Sequence, residues 1–232
     1  MSQTLIVQVW SDLLCPWCWI AERRFAKALG AFPHRDEVQV VLRSYRLMPG
    51  ASVHTVEEMF ARKGLSPLET QLRMLQMENI AAGEGLIYRL AGTQAGDTLD
   101  ILRMVKFAQK RNLESELVHR IYRAYLSEQI PVLDRDMMLQ LAGEVGLDPQ
   151  AGAAMLDTAE FTNEVEEDER DARSRGIRGV PHYVFDDQVS LSGGQSSEAY
   201  LAALNQAWDH LVAAEPADSG VICGPEGCQL PA

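Results

Sequence analysis

The sequence predicts an α/β fold: a parallel strand, helix, strand unit early in the chain, a returning β-hairpin late in it, and a long helical insertion between the two. Three observations carry that expectation. Leu5-Ile6-Val7-Gln8-Val9-Trp10 is β-branched and aromatic enough for a buried strand, and Glu37 to Tyr45 alternates as a second strand, with apolar residues at helical spacing between them. From His54 to about Phe161 the pattern is helical and no strand signal interrupts it. Gly179-Val180-Pro181-His182-Tyr183-Val184-Phe185, the turn Asp186-Asp187 and Gln188 to Ser192 then read as two short strands.

The first helix opens at Cys15-Pro16-Trp17-Cys18, runs through Ile20 to Leu29 and is expected to close on Gly30 as its C-cap. Phe32-Pro33-His34 breaks the pattern before the second strand, and a helical crossover between two strands makes them parallel. The insertion divides into Val56 to Arg62, Pro67 to Ala82, Thr98 to Arg111, Ser115 to Ser127, Asp134 to Val145 and Asp148 to Ala159. Asp134 and Asp148-Pro149 are helix starts, and the length suffices for a small domain. Met59, Met74, Met77, Met104, Met137, Met138 and Met155 lie within it, as deformable core or as a soft cover over the thiols. Glu164 to Arg175 is acidic first and basic second, which suits the helix dipole, and reads as a solvated helix ended by Gly176. Ser196 or Ser197 caps a last helix reaching about Ala214.

The chemistry centres on Cys15 and Cys18. Pro16 suits a first helical turn, whose free amides and dipole stabilise negative charge on the first sulfur. The thiolate is the form that attacks disulfides, so Cys15 reads as the reactive thiol. Cys18, one turn further in, can close a disulfide with it or resolve a mixed disulfide. Two structural thiols, or half of a zinc site, are the alternatives for such a pair. Gly-Val-Pro entering a strand suggests a cis peptide at Val180-Pro181 beside the thiols. His182 is a candidate modulator of Cys15, or a surface histidine without a role, while His34, His54, His119 and His210 form no constellation.

A net charge of −12 over 232 residues argues against nucleic acid or an anionic membrane as partner. The sequence shows neither a secretory leader pattern nor an apolar run of ~20 residues, so a cytoplasmic protein is expected. In a reducing cytosol four cysteines in two close pairs serve catalysis, sensing or metal binding. The second pair, Cys223-Gly224-Pro225-Glu226-Gly227-Cys228, can close a small ring. It reads as a redox relay exchanging with Cys15 and Cys18, with a four-thiolate zinc site or an inert oxidised loop as alternatives.

This order of elements resembles the thioredoxin fold with the large all-helical insertion of the DsbA family, over about residues 5 to 212. Within that family it is most similar to the FrnE-type branch, through Cys15-Pro16-Trp17-Cys18, Thr98-Leu99-Asp100, Gly179-Val180-Pro181 and Ser192-Gly193-Gly194-Gln195. The resemblance implies a thioredoxin-like domain from 1–50 and 160–214, an insertion domain at 51–159 and a flexible tail at 215–232. It implies Cys15 as nucleophile, Cys18 as resolving thiol, and Pro181 as a cis-proline whose neighbour Val180 pairs with a substrate strand. Pro16 and Trp17, between the thiols, tune them.

Protein disulfides and thiols are the implied substrates, in oxidative-stress defence, and glutathione or a thioredoxin system is the implied electron donor. No organic cofactor and no metal is implied. Two departures stand out: Ile101-Leu102 occupies a place where many relatives carry histidine, and no histidine lies between the thiols. Glutathione-dependent relatives of the same fold, the 2-hydroxychromene-2-carboxylate isomerases and kappa-class transferases, place serine where Cys15 stands. A redox- or metal-responsive chaperone is the remaining alternative.

Overall fold

The computed structural model describes residues 3–213 and, as backbone alone, the tail segments Ile222–Gly224 and Gly227–Gln229. These two segments pair antiparallel with Cys223 opposite Cys228. The side chains of both tail cysteines, on which the relay was expected, lie outside the described residues.

Strand β1 (Leu5–Ser11) lies inside a four-stranded sheet. It runs parallel to β2 (Val38–Ser44), from Leu5 against Val38 to Ser11 against Ser44, so the crossover expected from the sequence is present. On its other side it pairs antiparallel with β5 (His182–Phe185), Trp10 opposite His182, and β6 (Val189–Ser192) closes the sheet. Asp186 and Asp187 both adopt positive φ, as a two-residue hairpin turn matched to strand twist demands.

The alternation along β1 sorts the layers. Leu5, Val7 and Val9 face a core shared with α1 (Pro16–Ala31) and α9 (Ser197–Ala213), through Phe25, Tyr183, Phe185 and Tyr200. Trp10 faces the opposite side, where its indole N–H donates to Asp168 O at 3.0 Å. Gly30 does not end α1: the helix runs through it to Ala31 and stops at Phe32, whose extended backbone (φ −78°, ψ 127°) is what Pro33 imposes on the residue before it.

Between β2 and β5 come α2 (Val56–Arg62), α3 (Pro67–Gly83), α4 (Leu99–Gln109), α5 (Glu114–Leu126), α6 (Arg135–Glu144), α7 (Pro149–Leu156) and α8 (Thr162–Ser174). Thr55 with Glu58 and Ser66 with Glu69 form capping boxes that start α2 and α3. The insertion is not the uninterrupted helical segment that its sequence pattern suggested. Strand β3 (His54–Thr55) pairs antiparallel with β4 (Gln94–Ala95), a two-residue ladder too short to leave an alternating signal.

Helix α8, expected as a solvated helix, is solvated on one face only. Val165 and Ala172 are fully buried, and two of its acids, Asp168 and Glu169, are buried anchors, while Glu164 and Glu167 stay exposed. Asp168 accepts from Ser44 N at 2.9 Å, from Lys106 Nζ at 2.6 Å and from Arg43 Nη1 at 3.1 Å. Glu169 accepts from Arg46 Nε at 2.7 Å and Nη2 at 3.0 Å. Asp168 and Glu169 thus fasten the end of β2 to the insertion, because carboxylates this deep persist only with such partners.

The apolar core of the insertion continues into the thiol-bearing segment. Leu13, Cys15, Cys18, Trp19 and Ile20 belong to the same buried cluster as Leu102, Tyr122 and Met138.

Candidate functional site

Cys15 is the N-cap of α1, Pro16 occupies its first turn, and Cys18 N donates to Cys15 O at 3.0 Å. Both thiols are free and buried, at 4% and 2% exposure. The peptide between Val180 and Pro181 is cis. The Val180 carbonyl lies at the N-terminal end of α1, where it accepts from Cys15 Sγ at 3.6 Å. Four sequence candidates, Cys15, Cys18, Val180 and Pro181, therefore meet at one place. Burial pushes the Cys18 thiol well up, and the hydrogen bond and charge of Cys15 push it the same way, outweighing the opposite pull of Ser11. Cys18 is thus held as the protonated partner beneath Cys15.

Around Cys18 the insertion supplies an aromatic wall that the sequence reading missed. Trp19 is stacked between Tyr88, 5.6 Å away, and Tyr122, 5.8 Å away. Tyr88 donates its hydroxyl to Pro16 O at 2.8 Å, and Tyr122 and Ser11 share a buried hydrogen bond of the same length. Burial raises both phenols, so they stay neutral hydrogen-bonding groups. Trp17, half-buried, lies against the turn at Gly193-Gly194: a Cβ on Gly194 would stand 2.7 Å from its Cε3. Gly193 is at φ 79°, and Arg24 clamps the turn by donating to Gly194 O at 2.8 Å and to Glu84 Oε1 at 2.6 Å. The Ser192-Gly193-Gly194-Gln195 word thus serves as a seat for the residue between the thiols.

His182 does not reach the thiols through any hydrogen bond among the described residues. Its ring meets Trp10 edge-on at 6.5 Å, and burial lowers its pKa. His119, assigned to no constellation, pairs instead with Glu22 at 3.3 Å, one helical turn beyond Cys18, and this pairing raises its pKa. In Thr98-Leu99-Asp100, helix capping falls to the preceding Asp97, whose Oδ1 accepts from Leu99 N at 3.0 Å.

Asp12 is the other residue the sequence reading passed over. Its carboxylate accepts from Leu14 N at 3.1 Å and Leu47 N at 2.8 Å, tying the loop before α1 to the loop after β2. Burial nevertheless raises it to about 6, against the pull of those N–H groups. An Asp three residues before the first cysteine, with its side chain turned onto the N–H two residues on, is an Asx turn, and that spacing was the available signal.

Asp12 and Cys15 both line a cavity of about 530 Å³ that opens beside the first thiol. Its far wall is α2 and α3, with Met59, Phe60, Met74, Met77 and Ile80.

Comparison with known proteins accords with this geometry. A model of the DSBA-like thioredoxin domain matches residues 6–205. The crystal structure of the probable DsbA oxidoreductase SCO1869 from Streptomyces coelicolor is similar with a TM-score of 0.87 at 37% identity, over 98% of this chain and 100% of that one. The cytosolic disulfide reductase DsbM from Pseudomonas aeruginosa, solved with GSH, shares the fold with a TM-score of 0.59 at 18% identity, over 90% and 98% of the two chains. The uncharacterized protein YwbO of Bacillus subtilis (strain 168) is 22% identical over 206 residues, 87% of this chain and 96% of its own. The family match runs from β1 into α9, across the thiol helix and the cis-proline strand alike, and the chain belongs to the DSBA-like thioredoxin domain family.

Proposed function

We propose that this protein is a cytoplasmic thiol-disulfide oxidoreductase that reduces or isomerises protein disulfides. The observation that carries the reading is the placement of Cys15: a free thiol at a helix N-terminus, facing the Val180 carbonyl, with a protonated Cys18 buried one turn below. Cys15 as thiolate attacks a substrate disulfide, the substrate S–S bond breaks, and the departing substrate sulfur takes up a proton. Cys18 then loses its proton, attacks Cys15 Sγ and releases the second substrate sulfur as a thiol. The enzyme is left as the Cys15–Cys18 disulfide, and two thiols of glutathione or one dithiol of a thioredoxin system restore it.

Val180 presents backbone for an extended substrate, the recognition mode in which main-chain hydrogen bonds hold a strand. Cytosolic DsbM, a disulfide reductase solved with GSH, supports both the compartment and the donor. In a FrnE-like enzyme of oxidative-stress defence, Cys223 and Cys228 act as a second dithiol that exchanges with the first pair. Changing both to serine then slows recovery of the active thiols after peroxide, and an unchanged recovery removes the relay from the account.

Insulin reduction by dithiothreitol tests the main reading. The full chain accelerates precipitation of the insulin B chain and Cys15→Ser does not; acceleration that survives Cys15→Ser overturns it.

A further inference from the structure

The cavity beside Cys15 has a composition that the chemistry of the thiols does not require. Its wall is apolar and soft, since Met48, Met59, Met74 and Met77 present thioether side chains that repack around different shapes. Lys63 and Arg73 also line it, yet both are exposed, which puts their charges at its mouth. Among the described residues neither lies within ion-pair distance of an acid, and Arg73 acts on Glu69, one turn earlier, through its charge alone. At about 530 Å³ the cavity is within the ~300–1,000 Å³ range of pockets that enclose a ligand, room for more than the substrate sulfur alone.

We propose that this cavity selects the protein segment adjoining the substrate cysteine, taking a large apolar side chain onto the methionine wall and an acidic neighbour at Lys63 and Arg73. The proposal rests on Cys15 as the attacking thiol, and it names the substrate class of that site. A protein segment fits better than glutathione, which carries carboxylates but no apolar side chain to cover the methionines. The molecule as a whole carries −12, so a preference for acid has to come from local cations.

The experiment is a set of short cyclic peptides, each closed by one disulfide. The residue beside one cysteine is Leu, Phe or Gly, and the next is Glu or Lys. Reduction by the full-length protein is followed as kcat/KM, with glutathione disulfide and insulin run alongside. Leu and Phe peptides are expected to exceed Gly peptides by at least about tenfold, the scale on which an apolar pocket separates side chains. Glu is expected to exceed Lys by about threefold, the scale of an exposed ion pair. In the double variant Lys63→Glu with Arg73→Glu, the order of Glu and Lys reverses.

A Gly peptide equal to the Leu peptide, an acid preference that is absent or survives the double variant, or glutathione disulfide outrunning the Leu-Glu peptide each overturns the proposal. In those cases insulin reduction that depends on Cys15 leaves the reading of the thiols standing. Failure with every disulfide, insulin included, removes both.

Discussion

Asp12 shows at the scale of one residue how the site is braced. Its two oxygens hold the N–H groups of Leu14 and Leu47, but taking the carboxylate out of water costs more than those bonds return, and it titrates at about 6 in place of its usual 3.8. Between those two values the folded chain keeps a proton that the unfolded chain has lost, so stability falls as pH rises across that window. At about 1.36 kcal/mol per pH unit, the loss is complete above pH ~6 and amounts to about 3 kcal/mol. Asp12→Asn lacks this titration. Denaturant unfolding of both proteins from about pH 3.5 to 7 is expected to shift their difference toward the variant by roughly that amount. A difference independent of pH would mean that the carboxylate titrates normally.

The place of Cys15 and Cys18 at the start of α1 and the cis peptide before Pro181 were legible in the sequence because each is tied to a fixed local word. Asp12, Tyr88 and Tyr122 were not. Tyr88 and Tyr122 come from the insertion, and only tertiary packing brings them onto Trp19 and the thiol turn.

At the scale of elements, α1 and the β6–α9 turn are fitted to each other through Trp17 and Gly194. Gly194→Ala places a methyl group 2.7 Å from the Trp17 ring, so the indole has to tilt away from the turn. Overpacking of this kind costs about 1–3 kcal/mol. A matching drop in the denaturant midpoint is expected, with slower insulin reduction, because the displaced residue lies between the two thiols. Wild-type stability and rate in that variant would show that the seat is dispensable.

Most helices were readable from apolar spacing and caps, Asp134 and Asp148 among them. The errors came from tertiary effects. Asp168 looks like part of the solvated face of α8 until Ser44, Lys106 and Arg43 converge on it from other elements. Gly30 looks like a cap, whereas Pro33 sets the boundary.

For the whole molecule, α1 joins two cores. Its Ala21, Phe25 and Ala28 face the sheet with α9, and its Cys18, Trp19 and Ile20 face the insertion. The insertion is therefore packed against the thiol-bearing helix as core. The expected consequence is one cooperative unfolding step, with coincident transitions in tryptophan fluorescence and far-ultraviolet dichroism; two separated steps would contradict a shared core. The fold class followed from the order of strands and helices. The sharing of one helix between two cores did not, since it depends on which faces meet in three dimensions.

The measurement that tests the central claim most directly is trapping of the mixed disulfide. The Cys18→Ser protein, incubated with a peptide disulfide and mapped by peptide mass spectrometry, is expected to carry one peptide on Cys15, which Cys18 is no longer there to release. The Cys15→Ser protein is expected to carry none at the Cys18 site. An adduct found on Cys18, or no adduct on Cys15 in the first variant, would contradict the assignment of Cys15 as the attacking thiol.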